Sequence, residues 1–258
     1  MPWGVSARVR NARDWAAAAT GRTLARLVRR VSKAATLSVT SAVAELDGGQ
    51  RCGPLAARLL RDAAAGHVIV PFWSAHQVTI ALLAVERFGL RPALERFEVV
   101  ADDSFGGEIM RHLGDELGLK MRPIHARGNP RRLEDVGTWL RDPAPFFIAV
   151  DGGSQYGTVP TGIVRLAGRL GSTIWPLAVR ARRFARVPGL VAEIPLPGAA
   201  VALGVAAPLR VSRDVAVGTV AEDIRQRLEW ASEAAAVRLR AAVGECAIWH
   251  ARERHRTV

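Results

Sequence analysis

Two periods of apolar spacing divide this chain. Leu24, Leu27, Val28, Val31 and Ala35 recur at i, i+3, i+4, i+7, one face of a helix, with Arg22, Arg26, Arg29, Arg30 and Lys33 around the rest of the circumference. This predicts a basic amphipathic helix within residues 1–45, with Trp3 and Trp15 upstream of the stripe. After the Asp47-Gly48-Gly49 turn, Pro54 to Ala65 reads as a helix. Short runs of β-forming residues follow at His67 to Trp73, Phe97 to Ala101, Lys120 to Ile124, Phe146 to Val150 and Thr173 to Val179. Helical spacing lies between them: Gln77 to Phe88, then Ile109, Met110, Leu113 and Leu117 ending at Gly118. Another helix starts at Asn129-Pro130, with Leu133, Val136, Gly137 and Leu140 as its buried side. Pro71 places the first strand at an edge or near its end.

Strands alternating with helices at these lengths predict one α/β domain with a largely parallel central sheet flanked by helices, over residues 46–215. Beyond Arg180, Leu190 to Ile194 and Val201 to Val205 flank Pro195-Leu196-Pro197-Gly198 as a possible hairpin. Thr219 to Arg254 is rich in Ala, Arg and Glu and predicts a C-terminal helix within residues 216–258.

Composition adds a charge argument. The chain has 258 residues, 49% hydrophobic and 23% charged, with a formal net charge of +12. Lys33 and Lys120 are the only lysines, so arginine carries the surplus, which suits polyanions and bidentate phosphate contacts. No helix-turn-helix, zinc finger or aromatic RNA-binding signature accompanies it, which disfavours nucleic acid as the partner. Cys52, Cys246 and the six histidines show no metal spacing, so no metal site is expected. No apolar run approaches a membrane span and no signal peptide is evident. The expected location is cytoplasmic, peripheral on the inner face of the plasma membrane. The arginine-flanked stripe of the first helix fits a helix lying in an anionic membrane interface, and equally a helix packed on the domain with a solvated basic back.

Candidate chemistry collects in turns that follow strands. His76 stands just past the first strand, where an imidazole could accept a proton from a substrate or serve only as a helix-start residue. Asp102-Asp103-Ser104-Phe105-Gly106-Gly107-Glu108 offers acids that could orient a base, Glu108 among them, or cap the next helix. Arg122 to Arg132 reads RPIHARGNPRR, a phosphate pocket or a solvated loop, and contains His125. Asp151-Gly152-Gly153 follows Phe146 to Val150; Asp151 is placed for function or caps the turn. A right-handed parallel sheet brings all four turns to one edge.

From Val68 to about Arg210 the order of these motifs resembles the lysophospholipid acyltransferase superfamily. It is closest to a bacterial branch carrying Trp-His, Ser-Arg-Ser-Arg-Asp-Gly-Glu, Arg-Gly-Ser-Ser-Ser-Arg-Gly and Asp-Gly-Pro motifs. Asp151-Gly152, Gly162, Arg165-Leu166-Ala167 and Ile174 to Val179 around Pro176 carry the best match; Arg122, Arg127 and Gly128 fit the arginine–serine loop, and Gly107-Glu108 the acidic turn. The resemblance implies a glycerol-phosphate-acyltransferase-like fold and transfer of a fatty acyl group to a hydroxyl of a lysophospholipid or related lipid acceptor. The donor would be an acyl thioester, acyl-CoA or acyl-carrier protein, with no covalently bound cofactor. By the same resemblance His76 is the base, Asp151 an orienting acid, and Arg122, Arg127, Gly128 and Gly152 bind the substrate; His125 and Glu108 are secondary candidates. The acid that the superfamily carries five positions after its histidine is Ala81 here. That absence motivates the alternative of a lipid-binding relative without turnover.

Overall fold

The computed structural model describes residues 3–32, 36–41, 53–66, 68–83, 95–125, 135, 138, 144–151, 157–186 and 192–254. Helix α1 (Trp3–Ser32) and strand β1 (Thr36–Ser41) precede α2 (Gly53–Ala64) and β2 (Val68–Phe72). A 3-10 turn, Ser74–His76, leads into α3 (Gln77–Leu83), followed by β3 (Glu98–Asp102), α4 (Phe105–Leu117), β4 (Lys120–Ile124) and β5 (Phe146–Ala149). Then come α5 (Thr161–Leu170), β6 (Thr173–Ile174), β7 (Leu177–Ala181), β8 (Phe184–Arg186), β9 (Glu193–Pro195), β10 (Ala200–Val205), β11 (Leu209–Arg210) and α6 (Val217–Arg254).

The protein is α/β, with a mostly parallel central sheet in the order β11-β6-β2-β5-β3-β4. The strands from β6 to β4 run parallel, and β11 closes one edge antiparallel. The chain steps one way through β2, β3 and β4, then returns through β5 to β6. Right-handed crossovers in opposite directions put their helices on opposite faces, and the side chains of β2 divide accordingly. Val68, Val70 and Phe72 pack with α1, α3 and α4, whereas Ile69 packs with α5 and the first turns of α6. Pro71 is accommodated in this central strand because β6 pairs only with Val68 and Ile69, so that flank of β2 is open by the level of Pro71.

Three expectations change. Thr173 to Val179 is not one strand: it breaks at Trp175-Pro176, and β7 leaves the central sheet to join a second one, β1-β10-β7. Proline lacks the N–H that a continuous ladder would require there. Leu190 to Ile194 and Val201 to Val205 do not form a hairpin; β9 pairs with β8, and β10 runs between β1 and β7. The N-terminal segment is not helical throughout, since β1 pairs in parallel with β10 and ties residues 36–41 into the body of the protein.

Helix α1 packs along α4 and α3, burying Ala17, Leu24, Ala25, Val28 and Val31. Its apolar stripe therefore lies in the core, and Arg22, Arg26, Arg29 and Arg30 form an exposed back. Gly21 marks the crossing: a Cβ there would stand 2.5 Å from His112 Cβ. On the other side α6 spans both sheets. Ala221, Ile224 and Leu228 meet the central sheet layer, and Ala231 and Ala235 meet Ala178, Ala202 and Ala206 of the second sheet region. The Asn129-Pro130 helix start and the end of the helix predicted to Phe88 lie outside the described residues.

Candidate functional site

The carboxyl ends of β2, β5, β3 and β4 stand side by side, so the turns after them share one rim, where ligands of parallel sheets gather. Two corners of that rim are built differently.

At the β2/β5 corner, Val150 N–H donates to the Phe72 carbonyl at 3.0 Å, continuing the ladder past the end of both strands. The Asp151 carboxylate then accepts the Ser74 backbone N–H at 2.7 Å. Asp151 is buried; burial raises its pKa above the ordinary carboxylate value, and the hydrogen bonds from Ser74 partly offset that rise. His76 N–H donates to the Trp73 carbonyl at 2.9 Å, closing the 3-10 turn. This turn carries the imidazole inward. His76 is 0% exposed, and neither ring nitrogen has a hydrogen-bond partner among the described residues. Burial, then the positive charge of Arg180, lowers its pKa to about 3.

A neutral, sealed imidazole with so little basicity is unsuited to take a proton from an acceptor hydroxyl. The structure thus places His76, the expected base, in the core beneath the rim. The turn geometry is the reason: Ser74 and Ala75 bring His76 under the rim instead of leaving it on top.

At the β3/β4 corner, Asp102 accepts both the backbone N–H and the hydroxyl of Ser104. Ser104 Oγ in turn accepts the Gly107 N–H at 3.1 Å and caps α4. Glycine is required at 107, because a Cβ would stand 2.1 Å from the Asp102 carbonyl oxygen. The cap is Ser104 and not one of the acids, and Asp102 holds Ser104 in place. Glu108 faces α1, where Arg13 donates to its carboxylate at 3.2 Å and to the Asp103 carbonyl at 2.9 Å.

His125 begins the loop after β4, one residue past the Asp102–Ile124 pair. Asp135 accepts its backbone N–H at 2.7 Å, and the Asp135 carboxylate lies 3.1 Å from the His125 Nδ1. An ionised carboxylate can only accept, so this contact fixes the tautomer with hydrogen on Nδ1 and leaves the lone pair on Nε2. The His125 side chain is 32% exposed and that of Asp135 is 18% exposed. An acid thus holds a partly exposed imidazole beside the carboxyl end of β4. Asp135 escaped the sequence reading; the available signal was an acid about a turn and a half past the Asn129-Pro130 helix start.

Arg122 is buried in mid-strand on β4, and its guanidinium pairs with Glu98 at the opposite, amino-terminal end of β3. It points away from the rim, so the expected contact with a substrate anion does not fit its position. Arg127, Gly128 and Gly152 lie outside the described residues. His76 and His125 do not converge: three interstrand steps of about 4.8 Å separate their strands, roughly 14 Å in all. Among the described residues no group of three or more His, Cys, Asp and Glu side chains gathers to hold a metal ion.

Compared with known proteins, the chain matches no family model and no curated sequence.

Proposed function

We propose that this protein is an acyltransferase with a glycerol-phosphate-acyltransferase-like fold, which moves a fatty acyl group from a thioester donor to a hydroxyl of a lysophospholipid or related lipid. The observation that carries this reading is the His125–Asp135 pair, an imidazole held by a carboxylate at 3.1 Å on the rim of the parallel sheet. His125 Nε2 takes the proton of the acceptor hydroxyl while its oxygen attacks the thioester carbonyl carbon. The tetrahedral intermediate collapses with cleavage of the carbon–sulfur bond, and the imidazolium returns the proton to the departing thiolate. Asp135 holds the ring and stabilises its transient charge. The motif order from Val68 to about Arg210 supports the acceptor class. Acyl-CoA or acyl-carrier protein is the donor, and the working location is peripheral, at the cytoplasmic face of the plasma membrane. Among the described residues, no helix is long and apolar enough to cross a membrane.

Acyl transfer from labelled acyl-CoA to lysophospholipids, measured on purified protein, tests this reading. His125→Ala is expected to lower kcat by about 10²–10⁴-fold, the ordinary contribution of a positioned base. Asp135→Asn is expected to lower kcat more than it raises KM. Full turnover in His125→Ala rejects the assignment. The sealed state of His76 favours one second reading, a lipid-binding relative without turnover. Co-purified lipid identified by mass spectrometry, with no transfer by the wild type to any acceptor tried, would select it.

A further inference from the structure

The outward face of α1 carries exposed arginines and an exposed tryptophan. At 100° per residue, Trp15, Arg22, Arg26 and Arg30 fall within an arc of about 80°, opposite the buried stripe. They span about 22 Å of helix. Trp15 is 71% exposed, although Ala17, Leu24, Ala25, Val28 and Val31 of the same helix are buried. Asp14 is the single acid in α1, and it lies about 100° around the helix from Trp15. Arg29, at the margin of the arc, is drawn to Glu116 on α4. Among the described residues, no acid pairs with Arg22, Arg26 or Arg30.

The helix is also fixed in direction. Arg13 bonds at the start of α4, Gly21 crosses at His112, and Arg29 reaches Glu116 near the end, so α1 runs parallel to α4. Its Trp15 end therefore lies toward the rim that holds His125.

We propose that this face is a docking surface for an anionic lipid bilayer, with the three arginines on headgroup phosphates and Trp15 in the interfacial layer. A straight, single-signed row on a helix pinned lengthwise to the domain matches a flat anionic surface. No helix-turn-helix, zinc finger or aromatic RNA-binding signature accompanies this row of charge. An indole has an apolar body and one polar N–H, the combination enriched at membrane interfaces. Juxtamembrane arginines each add roughly fivefold to affinity for anionic lipid. The contact is made by the polar back of α1, the reverse of what an interfacial amphipathic helix does, because here the apolar stripe is already in the core. Docked this way, the rim opens alongside the headgroups. The inference stands independently of acyl transfer.

Flotation of the full chain with vesicles of phosphatidylcholine alone, and of phosphatidylcholine mixed with phosphatidylglycerol, tests it. Flotation only with the mixed vesicles is expected. Replacing Arg22, Arg26 and Arg30 together with glutamine should weaken it about 10²-fold, and Trp15→Ala several-fold, with unchanged thermal melts since all four side chains are exposed. Transfer to a soluble short-chain acceptor, if the protein catalyses it, should be unaffected by the triple change, which separates failure of docking from failure of chemistry. Equal flotation with both vesicle types, or undiminished flotation of the triple variant, overturns the proposal. So does displacement from mixed vesicles by duplex DNA or RNA at the same ionic strength, which would assign the surface to nucleic acid.

Discussion

The Asp151 carboxylate accepts the Ser74 backbone N–H at 2.7 Å and so ties the turn after β5 to the turn after β2. The buried position of this carboxylate has an electrostatic consequence. Burial raises the Asp151 pKa, so the folded protein holds its proton to higher pH than the unfolded chain. The stability this group contributes is present at low pH and is lost as pH rises through the ordinary carboxylate value of 3.8 toward the raised one. Asp151→Asn keeps an oxygen for the Ser74 N–H and carries no charge to desolvate. Its Tm at neutral pH should equal or exceed that of the wild type, whereas Asp151→Ala, which leaves the N–H without its acceptor, should lose about 1–3 kcal/mol. A large drop in Tm for Asp151→Asn would mean that the ionised form is required for the fold.

His76 acts on stability in the opposite direction. Its folded pKa is about 3 against an ordinary 6.5, so between these values the unfolded chain binds the proton and the folded chain refuses it. Its contribution is fully present above about pH 6.5 and is lost as pH falls toward 3. From neutral pH to about pH 5 the expected loss is on the order of 2 kcal/mol. His76→Leu should flatten that slope in urea denaturation followed across the range. An unchanged slope in the variant would show that the imidazole is not held neutral in the folded protein.

Much of this architecture was legible because its elements are local. The strands at Val68 to Phe72, Glu98 to Asp102 and Lys120 to Ile124, and the helix ending at Gly118, follow from side-chain period and turn residues. The common rim followed from the handedness of crossovers. The departures are non-local. Whether Trp175-Pro176 merely ends a strand or transfers the chain to another sheet depends on β10 and β1, which come from distant parts of the chain. The direction of His76 depends on how Ser74 and Ala75 wind, because two residues of 3-10 turn exchange an exposed position for a buried one. Arg122 showed its charge in the sequence but not its partner, since Glu98 lies 24 positions away and only the β3–β4 register brings them together. The His125–Asp135 pair was half visible, since the histidine stood out in the sequence and the acid did not.

Close approach of β10 to α6 predicts a sharp contrast between two glycines. A Cβ on Gly204 would stand 2.0 Å from the Ala231 carbonyl oxygen and 2.8 Å from its carbon, both backbone atoms of a buried helix turn. Neither element can yield without separating the second sheet from α6. Gly204→Ala should cost at least about 1–3 kcal/mol, the range for overpacking. At about 2–4 °C per kcal/mol for a protein of this size, the loss is readable in a thermal melt. Gly162, in the first turn of α5, has open space where its Cβ would be. Gly162→Ala should leave Tm unchanged or raise it slightly, through the lower backbone entropy of the unfolded chain. Equal effects at both positions would contradict the packing of α6 on β10.

The Glu98–Arg122 pair predicts how the most inviting arginine of the RPIHARGNPRR segment behaves when changed. Arg122 is buried, and its partner side chain is 22% exposed, so removing the guanidinium leaves a partly desolvated carboxylate unpaired. Arg122→Met should lower stability by about 1–3 kcal/mol, less than for a fully buried pair because solvent screens Glu98. Adding Glu98→Leu should recover most of that loss, because no unpaired charge then remains. The urea midpoints of wild type, both single variants and the double variant complete the cycle. Arg122→Met should also leave the affinity for phosphate-bearing acceptors unchanged in protein that remains folded. An affinity loss there, with the stability cycle additive, would return Arg122 to the substrate and refute its assignment as a strut between β3 and β4.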